Sequence, residues 1–466
     1  MIEHGFNPDF PPAAEQQLAS AHAASTGSLC DLTSLLWSSI DNDDSRDLDQ
    51  IEWAERVAEG IRVLVAVADV DAGVVKCSPL DQHAAREATT VYTGVRTFPM
   101  LPEKLSTDLT SLNESQVRAA IVIEFTVAPD GSFGAHSIYR AAVLNAAQLT
   151  YSGVGAWLEA QAGPPPKVAG SPDLQAQLKL QDEAATALRE QRHRLGALSF
   201  GRQELQPVFS NGNVRDVTTR ESNRAAHLIE DFMIAANEVM AQTLQAAGVS
   251  SIRRVVRDPE RWPRIVELAA QYHDKLPPEP DPRALNQFLM SRKQADPVHY
   301  PDISLSVLKL MGPGEYVLSR AGDSGQGHFG LAAHDYTHST APNRRFADLV
   351  TQRLLKAVSA EAPPPYSDAE LDAIARNCTL KEDAARKVQR DMNKRIAALA
   401  MQHRIGQTFP AVVTGVTNKG VFVRTLAPPV EGRLMHGEQG LDVGDRLHVR
   451  LLGADPARGF IDFGRS

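Results

Sequence analysis

Carboxylates crowd one short stretch of the chain. Asp41, Asp43, Asp44, Asp47 and Asp49 have only Asn42, Ser45, Arg46 and Leu48 between them. On an extended segment the odd-numbered Asp41, Asp43, Asp47 and Asp49 share a face. Like charges held that close repel, and a divalent cation relieves them. Hard oxygen donors suit Mg2+, Mn2+ or Ca2+. Three readings compete. A solvated acidic loop needs no ligand. An EF-hand calcium loop would use Asp41, Asp43, Ser45, Asp47, Asp49 and Glu52, but Arg46 stands where the sharp turn wants glycine, and no second loop exists to pair with it. The third reading is phosphoryl chemistry, in which carboxylates hold Mg2+ beside an attacking water and a leaving oxygen. The run alone does not choose among them.

A second constellation lies far along the chain. Gly327-His328-Phe329-Gly330-Leu331 precedes Tyr336-Thr337-His338-Ser339-Thr340-Ala341-Pro342-Asn343-Arg344-Arg345-Phe346-Ala347-Asp348-Leu349. A helix predicted over Arg344–Ala357 would present free N–H groups to an anion. Arg344 and Arg345 add bidentate donors for phosphate. The alternative is an ordinary helix cap with surface arginines.

The elements that must carry these residues are legible in outline. Ile61–Ala68, with Val63, Val65 and Val67, reads as a strand buried on both faces. Ile121–Val127 and Ser137–Val143 flank Pro129-Asp130-Gly131 and predict a hairpin. Leu174, Leu178, Ala185, Leu188 and Leu195 keep helical spacing up to Gly196. Ala226–Ala246 predicts another amphipathic helix. Pro277, Pro278, Pro280 and Pro282 predict an irregular stretch. Leu380 to Leu399 marks a long helix whose polar face carries Lys381, Arg386, Lys387, Arg390, Lys394 and Arg395; a solvated face is the usual meaning of that pattern, and lining a phosphate path is the alternative. At the start, a helix around Glu15–Ala24, a turn at Gly27 and a short apolar run at Leu32–Trp37 sketch a helix-turn-helix, with a frayed terminus plus one docking helix as the more usual alternative.

Composition narrows the class. The 466 residues are 43% hydrophobic and 23% charged, which is ordinary globular protein of roughly three domains. The net charge of −9 speaks against binding nucleic acid through the whole surface and leaves room for a basic groove. Cys30, Cys77 and Cys378 lie too far apart for a disulfide scaffold or a clustered zinc site, and suit a reducing cytosol. No run is apolar enough to span a membrane, and residues 1–30 lack the features of a secretory signal. The expected location is therefore cytoplasmic.

Taken together, the two constellations resemble the ribonuclease II/R (RNB) family. The second is similar to its signature Y-T-H-F-T-S-P-I-R-R-Y-x-D-L, and the acidic run to T-I-D, five residues, D-L-D-D. Ser78-Pro79-Leu80-Asp81, Arg86, Val91-Tyr92, Phe98–Glu103, Ser111-Leu112-Asn113 and Glu230–Asn237 also match, in order. The fourth aspartate of the acidic signature is Gln50 here, a poorer Mg2+ ligand than a carboxylate. Ala341 and Asn343 replace the family's Ser and Ile, while Arg344 is retained. After about residue 404 the texture changes to short Val/Phe strands with glycine corners. Lys419-Gly420-Val421-Phe422-Val423 and its neighbours resemble an S1-type OB domain.

The resemblance implies an α+β protein. A short helical region (1–38) would precede a mixed α/β RNB catalytic domain (39–403), followed by a small all-β OB barrel (404–466). Too few residues precede the acidic run for the family's cold-shock barrels, so the helix-turn-helix is expected as a compact substitute. The implied activity is that of a 3′→5′ exoribonuclease releasing nucleoside 5′-monophosphates from single-stranded RNA, acting as a monomer. Asp41, Asp47 and Asp49 would hold Mg2+ (or Mn2+), Asp49 being the most sensitive catalytic aspartate. Arg344 would neutralise charge on the scissile phosphate. Tyr92 would stack on a base, with a core tyrosine as its alternative. Arg345 would contact phosphate, and Lys419, Phe422 and Arg424 would bind RNA on the barrel; the alternative for Phe422 is barrel core. A rival reading is a non-catalytic RNA-binding protein, a nuclease scaffold disabled at Gln50.

Overall fold

The computed structural model describes every residue except 201–203, 211, 221, 298, 324–326 and 419. Helix α1 (Pro12–Ala19) is followed by strands β1 (Cys30–Asp31), β2 (Trp37–Asp41), β3 (Gln50–Val57) and β4 (Gly60–Ala68). Next come α2 (Pro79–Glu87), the short strands β5 (Val91–Tyr92) and β6 (Thr97–Phe98), and the long strands β7 (Val117–Val127) and β8 (Phe133–Thr150). Helices α3 (Tyr151–Leu158), α4 (Pro166–Ala169) and α5 (Pro172–Leu195), hairpin β9 (Glu204–Ser210) and β10 (Asn213–Arg220), and α6 (Arg224–Ala246) follow. Then β11 (Ser251–Val255), α7 (Trp262–Gln271), α8 (Pro282–Ala295), α9 (Tyr300–Met311) and β12 (Glu315–Ser319) lead to α10 (Phe346–Ser359) and α11 (Asp368–Met401). The chain closes with β13 (Thr408–Thr417), β14 (Gly420–Thr425), β15 (Glu431–His436), β16 (Arg446–Asp455) and β17 (Phe460–Arg465).

The first sheet runs β1-β8-β2-β3-β4-β7, and β7 pairs again with β8. One strand makes this possible. The first part of β8 lies antiparallel to β7 (Val127↔Phe133 through Val117↔Leu144), and its end lies parallel to β2 (Trp37↔Asn145 through Asp41↔Thr150). The sheet thus curls back on itself. Its central β4 is buried from Val63 onward, as the continuous apolar run requires. Gly131 closes the β7–β8 turn at φ +80, and a Cβ there would sit 2.0 Å from the Ala187 carbonyl of α5; glycine is what lets the helix pack on the turn. Caps set the helix limits: Ser171 and Asn223 accept from the N–H groups of Leu174 and Ala226, and Gly196 ends α5 at φ +105. Residues β13–β17 form a closed barrel in the order β13-β14-β15-β17-β16, sharing an apolar core with the end of α11 (Ile396, Ala397, Met401). The fold is α+β.

Two expectations need correction. No helix-turn-helix occurs at the start: α1 is helical, but Leu32–Trp37 is a turn leading into β2. Residues Cys30 and Asp31 pair with Ala141 and Ala142 of β8, and Leu32 N–H donates to the Ala142 carbonyl (2.9 Å), so the apolar run is drawn onto the sheet. A boundary at 38 would cut β2 in half. The proline stretch is irregular only as far as 281, between α7 and α8, and the irregularity does not continue beyond it. Asp281 caps α8 through the N–H groups of Arg283 and Ala284, with Pro282 in the first turn, where a missing N–H costs nothing.

Candidate active site

The acidic run is a connection between two strands. Asp41 is the last residue of β2 and Gln50 the first of β3. Between them Leu48 is buried, its N–H on Ser111 Oγ (3.0 Å) and its carbonyl on Leu112 N–H (3.0 Å). Pinning Leu48 into the core fixes Asp47 and Asp49 on either side of it.

Arg344 meets this loop. Its Nε lies 3.3 Å from Asp49 Oδ2. Asp49 Oδ1 accepts from the backbone N–H (3.3 Å) and Nδ2 (3.0 Å) of Asn343. The Asn343 amide is in turn held by Thr110 Oγ1 on its Oδ1 (2.6 Å). Burial pushes the Asp49 carboxyl up to about 7, with the Arg344 charge opposing and Asp47 adding to it. Asp41 is also pushed up, first by burial, against its bond from Asn42 N–H and the Arg344 charge. The guanidinium itself is held firmly protonated; the surrounding Tyr92, Asp49, Asp41 and Asp47 outweigh its desolvation.

Tyr92 joins the same group. Its hydroxyl donates to Asp47 Oδ2 (3.4 Å), and its side chain is 38% exposed, so it is not a core tyrosine. The backbone explains why it is there. Thr90 N–H donates to the Arg344 carbonyl (2.9 Å), and Thr89 bridges Arg345 in antiparallel fashion, tying β5 to the arginine pair. Beside them opens a cavity of about 220 Å3, lined by Thr90, Tyr92, Arg344, Glu382, Arg386 and Gln389. Arg386 and Gln389 come from α11, whose run of basic residues is the sequence signal, one that a solvated face also explains.

Arg345 does something else. Its Nε and Nη2 fork onto Asp348 (2.8 and 2.6 Å), which also accepts from Ala341 N–H (2.8 Å). It immediately precedes α10 and braces the turn through this i,i+3 carboxylate, and it also lines the cavity beside Tyr92 and Arg344. The barrel candidates divide similarly. Arg424 holds Asp302 of α9 (3.0 Å), a partner from another element that sequence could not supply. Phe422 is half-buried on β14, opposite Arg433. Lys419 lies outside the described residues.

Glu52 was not singled out for this chemistry and deserves mention on geometry. It is wholly buried on β3, neither carboxylate oxygen has a hydrogen-bond partner, and burial and the Asp41 charge push it well above the usual range. Asp41, Asp47 and Asp49 are three carboxyls around the one guanidinium of Arg344, so once ionised they exceed what it offsets, and Glu52 adds a fourth carboxyl beside Asp41. Among the described residues no three His, Cys, Asp or Glu side chains gather as a ready-made metal cage. Surplus charge with few preformed ligands fits Mg2+, which keeps most of its waters and takes one or two carboxylates.

A curled mixed sheet backed by helices, an acidic loop facing an arginine, and a terminal closed five-stranded barrel define an α+β class of architecture. The family model described as RNB domain matches residues 30–361, and that of the RNase II-type exonuclease C-terminal S1 domain matches 407–466. The chain belongs to the RNB family. It is similar to Ribonuclease R of Escherichia coli K12 (29% identity; 97% of this chain, 60% of the relative) and to Ribonuclease R 1 of Lactococcus lactis (28%; 91% and 54%). It therefore spans little more than half the length of these curated relatives. Among solved structures, Mycoplasma genitalium RNase R in complex with ribose-methylated single-stranded RNA superposes with a TM-score of 0.88 at 22% identity, covering 100% of this chain and 77% of that one. Yeast Ssd1, a pseudonuclease, superposes with a TM-score of 0.71 at 17% identity, over 89% and 52%. These likenesses show the fold.

Proposed function

We propose that this chain is a 3′→5′ exoribonuclease that hydrolyses single-stranded RNA to nucleoside 5′-monophosphates with Mg2+ or Mn2+. The observation that carries the reading is the 3.3 Å approach of Arg344 to Asp49 across nearly three hundred residues of sequence. Family membership and relatives named Ribonuclease R support it.

In this reading the 3′ end enters the cavity beside Tyr92, whose half-exposed ring offers a stacking surface. Arg344, 46% exposed yet steered by Asp49, turns its remaining donors to the scissile phosphate and offsets the charge that grows there. Asn343 keeps the Asp49 carboxylate aimed. Asp41, Asp47 and Asp49 are the residues to hold the cation, which when bound lowers the pKa of a water and stabilises the leaving 3′-oxygen. The three cysteines are unpaired, in keeping with work in a reducing cytosol.

The rival is an RNA-binding protein without catalysis, favoured by the neutral Gln50 in place of a carboxylate. End-labelled single-stranded RNA with Mg2+ separates the two. Mononucleotide release by the parent, abolished by Asp49→Asn, is expected. RNA retention with no release by the parent would overturn the proposal in favour of the rival, and products of intermediate length would indicate an endonuclease.

A further inference from the structure

Gln50 removes a carboxylate from the head of β3. Two residues on, and so on the same face of the strand, stands Glu52. It is fully buried and both of its oxygens lack a partner. A carboxylate in that condition is among the most costly groups to bury, and chains retain one where something of opposite charge pairs with it. Its own neighbours do not. Ser38, its register partner on β2, has an unpartnered hydroxyl, and Gln181 of α5, whose amide nitrogen donates to the Glu52 carbonyl (3.4 Å), has an unpartnered side-chain oxygen. The charge it faces is that of Asp41, of the same sign.

We propose that Glu52 supplies the carboxylate that Gln50 lacks, joining Asp41 and, with it, Asp47 and Asp49 as the residues that hold the divalent cation in this chain. The proposal rests on the hydrolase reading above. A cation brought to two mutually repelling carboxylates turns their repulsion into attraction. It also gives the orphaned oxygens donors, because Mg2+ and Mn2+ bind largely through their own waters. The competing structural account is an uncharged Glu52 sharing a buried water with Ser38 and Gln181.

The test uses the full chain and Mn2+ alone as the probe, free Mn2+ being read by electron paramagnetic resonance. Glu52→Gln is expected to weaken Mn2+ binding by about tenfold or more, the usual cost of losing a group that supports a metal site. Retention of single-stranded RNA in EDTA stays unchanged, and adding Gln50→Asp restores Mn2+ affinity. Glu52→Leu, which keeps the volume without a polar atom, gives the same loss and serves if the amide variant fails to fold. Equal Mn2+ affinity in parent and variants, with RNA hydrolysis intact, overturns the proposal and leaves the hydrolase reading standing. A parent that neither binds Mn2+ nor hydrolyses RNA overturns both.

Discussion

Asp49 divides its two oxygens between different tasks: one takes both donors of Asn343, the other faces Arg344. The arginine is thereby oriented before any RNA arrives, and preorganised charge is what stabilises a transition state cheaply. Lysine cannot reproduce this, since a point charge cannot face a carboxylate and a phosphate through separate donors of one plane. Arg344→Lys should lower kcat/KM by about a hundredfold. Single-stranded RNA binding in EDTA should change little, and steady-state kinetics beside a binding assay checks both. Asn343 shows how far motif matching reaches. It looked like a departure from the family pattern, yet its amide is the residue that aims Asp49.

At the scale of elements, the segment between β12 and α10 is an aromatic and imidazole packing unit. Tyr336 stacks edge-on against His328 and His338, and Tyr316 Oη lies 2.8 Å from His338 Nδ1. Burial pushes His328 down to about 4, with Arg254 reinforcing, and burial with the Arg345 and Arg254 charges also holds His338 well below the ordinary imidazole range. Both are neutral in the fold and protonate when unfolded. Stability is therefore fully present above pH 6.5 and is lost as pH falls through the window from 6.5 to about 4, at up to about 1.4 kcal/mol per pH unit for each histidine. His328 also caps its own turn, Nδ1 accepting from Leu331 N–H (3.1 Å). His328→Asn keeps a cap acceptor and removes the titration. Thermal melts across this window should show a shallower loss for the variant; an unchanged slope would exclude His328 as its source.

Across the whole molecule, the barrel is joined to the body at specific points. Arg424 reaches Asp302 on α9, and Arg404 pairs with Asp216 of the β9–β10 hairpin. With the side chains of Arg424 and Asp302 only 19% and 15% exposed, Arg424→Ala leaves a poorly hydrated carboxylate and should cost about 1–3 kcal/mol, measured by urea unfolding. An arginine spent on Asp302 is not spent on phosphate, so the dependence of log K for RNA on log salt should stay unchanged. Had Arg424 contacted the backbone, the slope would shrink by about 0.7. Beside the cavity of this net acidic chain stand Arg344, Arg345 and Arg386, the last two paired with carboxylates, so Arg344 carries the positive charge least committed to a single partner.

Periodicity and short motifs made the strand of Val63–Val67, the Pro-Asp-Gly hairpin and the helices ended by Gly196 and Ala246 readable in one dimension, because each depends on neighbours a few residues apart; the pairing of the acidic run with Arg344 was readable only through the resemblance to a family, because it joins residues far apart in sequence. Periodicity and motifs failed at Leu32–Trp37 and at Asp281, where a strand or a cap competed for the same groups, and they did not show the carboxylates that Arg345 and Arg424 pair with. Glu52 is the limiting case. Nothing about a glutamate in a strand reveals that folding will strip it of water and leave it facing Asp41; that follows from which surfaces the curled sheet and α5 enclose, and burial is a property of the packed whole.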